Sequence, residues 1–493
     1  MTRGGRISII TSISLWTVCF LGIPAFTFSQ DSLKLRMETA LSVSNQERAP
    51  FWLVSNSFGK IPLQSGNAYL ESACTWGHRM NHNLHLTIAG DVLASTQAAS
   101  RFFIQQLYGE IAYRSIYLTV GAKERYHSML DQQLSSGDFI YSSNARPIPE
   151  INIHIPAYTA IPFTQGKMKF RGDFAVGKSF DNHYILETKA AGQFYATDIL
   201  WHHKSAFFLV EDPTKRFPFF VTVGFEHGAQ WGGWSSFNNM GTMPHTVGDF
   251  VKVALGKGGG TNAPEGEQIN TLGNHVGTYN LKLAYQTHRL EIAVYKQHYF
   301  DDNSGMEYAN WRDGIWGIEC TFPRWDGIKK IVCEYIHTTD QSGPLHFLDY
   351  YPLDARGGGN DDYYNHFVYH NGWSYWGRGL GNPLLTSPEY NANGVMEFMN
   401  NRIKAFHLGV DGQLLPHLSY RLLATKTEAL GRMYFPFLDK KSCWSALAEC
   451  SYTGWEGWEC SLQLAFDRGS LYGDNLGAVV RLSKSGVLAL SRR

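Results

Sequence analysis

Short runs of alternating apolar and polar residues dominate the chain. Around residue 279, Tyr279, Leu281, Leu283 and Tyr285 share one phase, and Thr278, Asn280, Lys282, Ala284 and Gln286 take the other. A tight turn at Thr287 and His288 follows, and then Leu290, Ile292 and Val294 alternate with Glu291, Ala293 and Tyr295. Successive side chains of a strand point to opposite faces, so a period of two interrupted by a turn predicts a β-hairpin. Near the end, Trp458, Cys460, Leu462, Leu464 and Phe466 alternate with Glu459, Ser461, Gln463, Ala465 and Asp467. Further strands are predicted at Leu84–Ile88, Leu107–Tyr113, Ile116–Val120, Phe170–Val176, Phe219–Glu226, Trp316–Phe322, Ile331–His337, Lys404–Asp411, Leu418–Thr425 and Leu476–Leu482.

The connections between these runs are of two kinds. Arg114-Ser115, Thr287-His288, Asp326-Gly327 and the Gly454–Gly457 turn are short, whereas Ser128–Lys167, Gln230–Gly277 and Tyr350–Arg402 are long. Short turns at one rim and long loops at the other are the habit of membrane barrels, whose strands also end in interfacial aromatics. Tyr279 and Tyr285, or Trp458 and Phe466, fit such girdles. A soluble sandwich also alternates, because one face of each sheet packs on a core, and the loop asymmetry and aromatic ends favour the barrel. About 460 mature residues, at roughly 25 per strand with its share of loop, give about 18 strands, an even number as bacterial barrels require. Closure is the physical demand, since lipid offers no partner to an unpaired strand edge. Lys282, Glu291, Glu319, Glu334 and Gln463 then face the lumen. The chain ends SGVLALSRR, without a terminal aromatic, which leaves the exact last strand open.

Composition narrows the class. Acidic and basic residues balance at 43 each, so no strong field favours nucleic acid. Aromatics are 14% against 17% charged residues, with 49 glycines, a mixture that suits many strands and turns. Arg3 and Arg6 precede the largely apolar Ile7–Phe28, and Thr27 and Ser29 are small residues before a cut, so residues 1–29 read as a secretory signal peptide. Cys19 lacks the small residues a lipoprotein signal needs, and no lipid anchor is expected. No later stretch is apolar over the length of a membrane helix. The other cysteines, Cys74, Cys320, Cys333, Cys443, Cys450 and Cys460, show no CxxC spacing, which argues against zinc and leaves any pairing open.

Two segments break the alternation. Leu134–Phe163 carries Pro147, Pro149, Pro156 and Pro162 and cannot be a central strand throughout; it reads as a segment crossing the barrel mouth. Tyr350–Pro388 has neither strand nor helix period, and holds Gly357, Gly358 and Gly359, the acid pair Asp361-Asp362, and Tyr363, Tyr364, Phe367, Tyr369, Trp373, Tyr375 and Trp376. Long irregular segments in compact folds are functional or disordered, and the aromatics argue for order. The expectation is a barrel from residue 30 to 493 with inserted segments 134–163, 230–277 and 350–402 that occlude the lumen.

The run SSG…SSNARPIPEI, then LWHHKS at 200–205, GFEHGAQWGGW at 224–234 and NDDYYNHFVYHNGWSYWGRGLGNPL at 360–384 resembles the Wzi-type capsule assembly proteins, most of all the branch found in Bacteroides-like bacteria. The resemblance runs from about Leu41 to Gly477. It implies an outer-membrane barrel with an occluded lumen, acting as a surface lectin that attaches capsular polysaccharide to the cell, and not an enzyme. It carries over no individual sugar contacts.

Sugar recognition needs aromatic faces for a pyranose and planar polar groups for its hydroxyls. Trp373, Tyr375, Trp376, Arg378, Asn371 and Asn382 supply both and are the candidate glycan-binding residues, Arg378 as partner of an acidic sugar's carboxylate. Plug packing is the competing use of the same aromatics. His202 and His203, adjacent in a strand, point to opposite faces and do not converge on a metal. Asp361 and Asp362 are too close in sequence to straddle a glycosidic bond and suit a solvated turn or calcium. His227, near Trp231 and Trp234, suits packing beneath a loop or donation to a sugar. No GxSxG elbow is present. No catalytic residue, metal or cofactor is assigned. The expected partners are capsular or other surface polysaccharide and outer-membrane lipid, with the oligomeric state open. A porin for oligosaccharides and an outer-membrane enzyme acting on lipid or glycan are the alternatives; an open lumen would mark the first, a convergent nucleophile and base the second.

Overall fold

A computed structural model describes residues 31–341 and 361–490. The leader at 1–29 and the Tyr350–Asn360 part of the longest insertion, with Gly357–Gly359, lie outside the described residues. Eighteen strands make one antiparallel sheet that closes on itself. They are β1 (Asp31–Ser44), β2 (Asn67–Arg79), β3 (Leu84–Ser95), β4 (Phe102–Tyr113), β5 (Ile116–Ala122), β6 (Glu150–Ala160), β7 (Met168–Lys178), β8 (Leu200–Glu211), β9 (Phe219–Trp231), β10 (Asn274–Gln286), β11 (Glu291–Phe300), β12 (Gly314–Thr321), β13 (Lys330–His337), β14 (Ile403–Leu415), β15 (Leu418–Gly431), β16 (Pro436–Tyr452), β17 (Trp458–Gly469) and β18 (Asn475–Leu490). Each pairs with the next in sequence, and β1 closes on β18 with Asp31 opposite Leu490 and Ser44 opposite Gly477. No unpaired edge is left to lipid.

The burial pattern is the reverse of a soluble protein's. Leu281 and Leu283 on β10 are exposed, while Thr278 and Asn280 on the other phase are buried. Leu462, Leu464 and Phe466 of β17 are likewise exposed, and Ser461, Gln463 and Asp467 buried. An apolar outer band over a polar lumen is what a membrane-spanning barrel requires. Among the described residues no helix is long and apolar enough to span. Inside, charge meets charge: Lys282 Nζ lies 2.8 Å from Glu319 Oε2, and Lys330 bridges Glu319 and Asp131. Aromatic groups mark the rims, with Phe217, Phe219 and Tyr285 in contact at one and Tyr279, Phe300 and Tyr308 at the other.

The rim that carries both ends of the barrel has only short turns, such as 80–83, 114–115, 287–290 and 416–417. The opposite rim carries the insertions 45–66, 123–149, 179–199, 232–273 and 338–402. By the habit of bacterial barrels this long-loop rim is extracellular. Two expected boundaries need correction. Residues 150–160 of the proline-rich segment are not loop but β6, and the ladder register slips between Ile155 and Thr159, around Pro156. Proline cannot donate to the ladder, and a bulge accommodates it. The next insertion is 232–273, because Gln230 and Trp231 close β9 and Asn274–Gly277 open β10.

Segments 123–149 and 361–402 fold into the lumen and bond both to its wall and to each other. Glu334 of β13 accepts from Ser135 Oγ at 2.7 Å and from Ser136 N at 2.8 Å. Gln297 of β11 accepts from Phe139 N and donates to Asp138. His407 of β14 meets the Leu134 carbonyl. The Tyr364 hydroxyl donates to the Phe139 carbonyl at 2.6 Å, and the Trp373 indole donates to the Ile140 carbonyl at 2.9 Å. Polar wall residues therefore satisfy plug backbone that would otherwise be buried without partners.

Candidate functional site

The six residues singled out from sequence divide into two groups. Asn371, Trp373 and Asn382 are buried within the plug. Asn371 exchanges both amide bonds with the Ala196 backbone, donating at 2.8 Å and accepting at 2.9 Å. Asn382 donates to the Gly137 carbonyl at 2.6 Å and accepts from Leu384 N. Trp373 packs edge-on against Trp201 of β8, 5.0 Å between centroids, and leaves no room at Gly228, where a Cβ would sit 2.6 Å from the indole. These three side chains present no face to a ligand.

Tyr375, Trp376 and Arg378 line a cavity of about 470 Å³ at the long-loop rim, together with Arg146, Tyr184, Gln64, Gln97, Glu389 and Asn391. A small hairpin presents them. Ser374 pairs with Gly379 and Tyr375 with Arg378, so Trp376 and Gly377 form its two-residue turn. Both have positive φ, 53° and 74°, the sense of a type I′ turn. Glycine is needed at the second position, since a Cβ there would lie 2.1 Å from the Tyr184 hydroxyl. Tryptophan at the first costs roughly 1–2 kcal/mol, because a left-handed backbone crowds its Cβ. The Asp181 carboxylate holds the turn by accepting from Trp376 N at 3.0 Å. Of residues 371–380 only Trp376 is not buried. A bulky residue held in a strained turn and left partly open is the kind of outlier that marks a functional position.

Arg378 is not free to meet a sugar, contrary to expectation. Its Nε is 2.8 Å from Glu389 Oε1, and its other nitrogens donate to the Val54 and Ile61 carbonyls. The guanidinium is spent on tying the hairpin to the 45–66 loop. The open cation is Arg146, from the proline-rich segment. Its guanidinium lies 3.5 Å from the Phe103 ring centroid and 4.7 Å from that of Trp376. It makes no hydrogen bond or ion pair to another described residue. Burial and the neighbouring Arg378 pull its pKa down to about 10, so its charge is under-compensated. Tyr184 stands at the other side, 5.8 Å from Trp376 between centroids. The cavity thus joins a cation with free donors, two aromatic faces and side-chain amides. Stacking on the rings and charge-assisted bonds from the guanidinium are what it offers a ligand. The sequence marks the segment holding Arg146, but only the fold brings it against Trp376.

The remaining polar groups are engaged. His203 faces the lumen between Asp173 and Glu226, while His202 faces outward and bonds the Ala175 carbonyl. His227 is buried outside the wall, against His275 at 2.8 Å. Asp362 pairs with Arg432 and accepts from Asn401. Asp313, His337 and Asp340 bring ligand atoms within 4.8 Å, but the Asp313 oxygens already accept from His337, the Asp340 and Gln341 backbone and the Tyr363 hydroxyl. That carboxylate joins plug to wall. The six described cysteines are free.

Comparison with known proteins places the sequence within the model of one family, capsule assembly protein Wzi, over residues 31–402. No curated protein matches. Among solved structures, the barrel is similar to Escherichia coli Wzi, described as an outer membrane protein involved in group 1 capsule assembly and a carbohydrate-binding β-barrel. The two are 11% identical, with 93% of this chain and 85% of that chain covered and a TM-score of 0.56. Acinetobacter baumannii OccAB4 (8% identical, 93% and 99% covered, TM-score 0.47) and Pseudomonas aeruginosa OprD (8%, 94% and 95%, 0.47) are similar more distantly.

Proposed function

The chain belongs to the capsule assembly protein Wzi family, and from that premise we propose that it is a non-enzymatic lectin of the outer membrane that holds capsular polysaccharide at the cell surface. In this reading it sits with the proteins of Bacteroides-like bacteria, and its first 29 residues direct export. The observation that carries the reading is the cavity built on Trp376, Tyr184 and Arg146. A pyranose ring stacks on the aromatic faces, Gln64, Gln97 and Asn391 take its hydroxyls, and the Arg146 guanidinium receives an acidic substituent. Arg378 supports the site from beneath rather than touching the sugar. The segments 123–149 and 361–402, bonded to the inner wall, favour this role over that of an oligosaccharide channel.

Capsule stained on cells expressing wild type or Trp376→Ala, with barrel abundance measured on the same cells, tests the proposal. The expected result is normal outer-membrane protein and less retained polysaccharide. Equal retention in both strains overturns the assignment of the site, and full retention after gene deletion overturns the function.

A further inference from the structure

The 232–273 insertion divides in two: residues 232–243 stay with the inserted segments, Ser235 donating to the Val368 carbonyl and pairing with Ala196, while residues 246–272 turn over the rim and pack on the outside of the wall. Its main helix, Val247–Ala254, begins with a capping box in which Thr246 and Asp249 satisfy each other's backbone donors. Phe250 of this helix packs on outward-facing Trp231, His202 and Phe174 at centroid distances of 5.5, 5.4 and 6.1 Å. Lys204, also outward, donates to the Ala254 carbonyl at the helix end. Val253, Ala263, Leu272, Ala229 and Trp231 form a separate small core beneath. His202, His227 and His275, which would otherwise face the outer band, are buried under this cover.

The far side of the helix is apolar and bare. Val247, Val251 and Leu255 lie at i, i+4 and i+8, one stripe, and are 81%, 49% and 61% exposed. Ile269, on the following helical turn, is 75% exposed. The stripe is continuous with the exposed outer band through Phe174, which touches Phe250 and is itself exposed. Lys252 and Lys257 flank it, the first partly exposed with its Nζ 3.8 Å from Asp249 Oδ1 and the second exposed. A short helix with an apolar stripe and basic flanks, lying against the band that meets lipid, has the features of an interfacial membrane helix.

We propose that the Val247–Ala254 helix lies in the outer leaflet as a membrane-interface anchor, its apolar stripe among acyl chains and Lys252 and Lys257 against anionic lipid headgroups. The proposal concerns the outer face of the wall and does not depend on the glycan site. In this role the insertion shields three polar histidines from lipid and fixes the rim at the headgroup level beside the plug.

The test uses the full barrel in bilayer nanodiscs of phosphatidylcholine with one-third phosphatidylglycerol. A water-soluble maleimide labels Val251→Cys or, on the exposed rim turn, Asn393→Cys, and labelling is read peptide by peptide so that the native cysteines serve as internal references. Val251→Cys is expected to react at least tenfold more slowly than Asn393→Cys in nanodiscs and at a comparable rate in denaturant. Val247→Cys provides a second probe should Val251→Cys fail to assemble. Equal rates in nanodiscs overturn the proposal. Protection that grows with protein concentration in detergent also overturns it, because a second copy then covers the stripe. With Lys252→Gln and Lys257→Gln, protection should no longer increase with the anionic lipid fraction; an unchanged dependence overturns the headgroup contact.

Discussion

Replacing Trp373 by alanine should unlock the plug without opening the barrel. The indole is 1% exposed and sits between Trp201 and the close approach at Gly228. Truncating a buried tryptophan costs about 3–5 kcal/mol. Here it also strands the Ile140 carbonyl, a further ~1 kcal/mol or more, so about 4 kcal/mol is a conservative figure for the loss. None of it falls on strand pairing, because Trp373 belongs to the inserted 361–402 segment. A destabilisation of that size raises the population of plug-open molecules on the order of a thousandfold. The assay is conductance in planar bilayers, with heat-modifiable migration on gels as the control for an intact barrel. Wild type should give little steady current, and Trp373→Ala should show intermittent channel steps while still migrating as a folded barrel. A variant as silent as wild type, with equal protease resistance in 361–402, would show that Trp373 does not hold the plug in place. Loss of the folded barrel itself would show that plug and wall form one cooperative unit.

Other outcomes follow from individual contacts. Gly377→Val should lower glycan affinity with normal assembly, since its Cβ collides with the Tyr184 hydroxyl; titration of purified protein with polysaccharide checks it. Arg378→Ala leaves the half-buried Glu389 without its cation and frees the Val54 and Ile61 carbonyls, a loss of roughly 3 kcal/mol that falls on the hairpin and not on strand pairing, so retained capsule should fall while barrel abundance on the same cells stays normal. Burial raises Asp181 to about 6, partly offset by the hydrogen bond from Trp376 N. The raised value means the protonated form is favoured on folding, so the stability this group contributes is present below about pH 4 and lost as pH rises through 6. Hydrogen exchange of the 374–379 hairpin should quicken from pH 4 to 7 beyond the intrinsic rate, and Asp181→Asn should abolish that excess.

Much of the barrel can be read from the chain because its outer face obeys one rule. The hairpin at 279–295 and the run at 458–466 alternate cleanly, as their outward residues meet only lipid and their inward ones only polar partners. β8 escapes the pattern because the rule fails on its upper half. His202 and Lys204 face outward but lie under the 247–273 cover, so polar residues occupy an apolar phase. β6 is hidden by its prolines, which a slip in register absorbs. β1 alternates as cleanly as the 279–295 hairpin, with Leu33, Leu35, Met37, Leu41 and Val43 outward against Lys34, Glu38 and Ser42, and is legible though absent from the predicted strands; β2 turns Tyr69 and Glu71 inward and Ser72 and Cys74 outward, so neither of its phases stands out. At the site, sequence identifies the aromatic run but not which rings turn inward. Trp373 and Trp376 are three residues apart in an irregular segment, and only the type I′ turn separates a packing indole from an open one. Arg146 could not be preferred to Arg378 from sequence, since the difference lies in which guanidinium finds carbonyl partners across the fold.

The affinity of the purified barrel for the capsular polysaccharide of its own cells, intact and after chemical reduction of its carboxyl groups, decides whether the barrel is a lectin for that polymer. Wild type should bind the intact polymer, Trp376→Ala should bind more weakly by tenfold or more, and carboxyl reduction should weaken wild type while leaving Arg146→Ala unaffected. Equal binding by wild type and both variants, or no binding of the intact polymer by wild type, would show that the cavity at Trp376 and Arg146 does not hold the capsule.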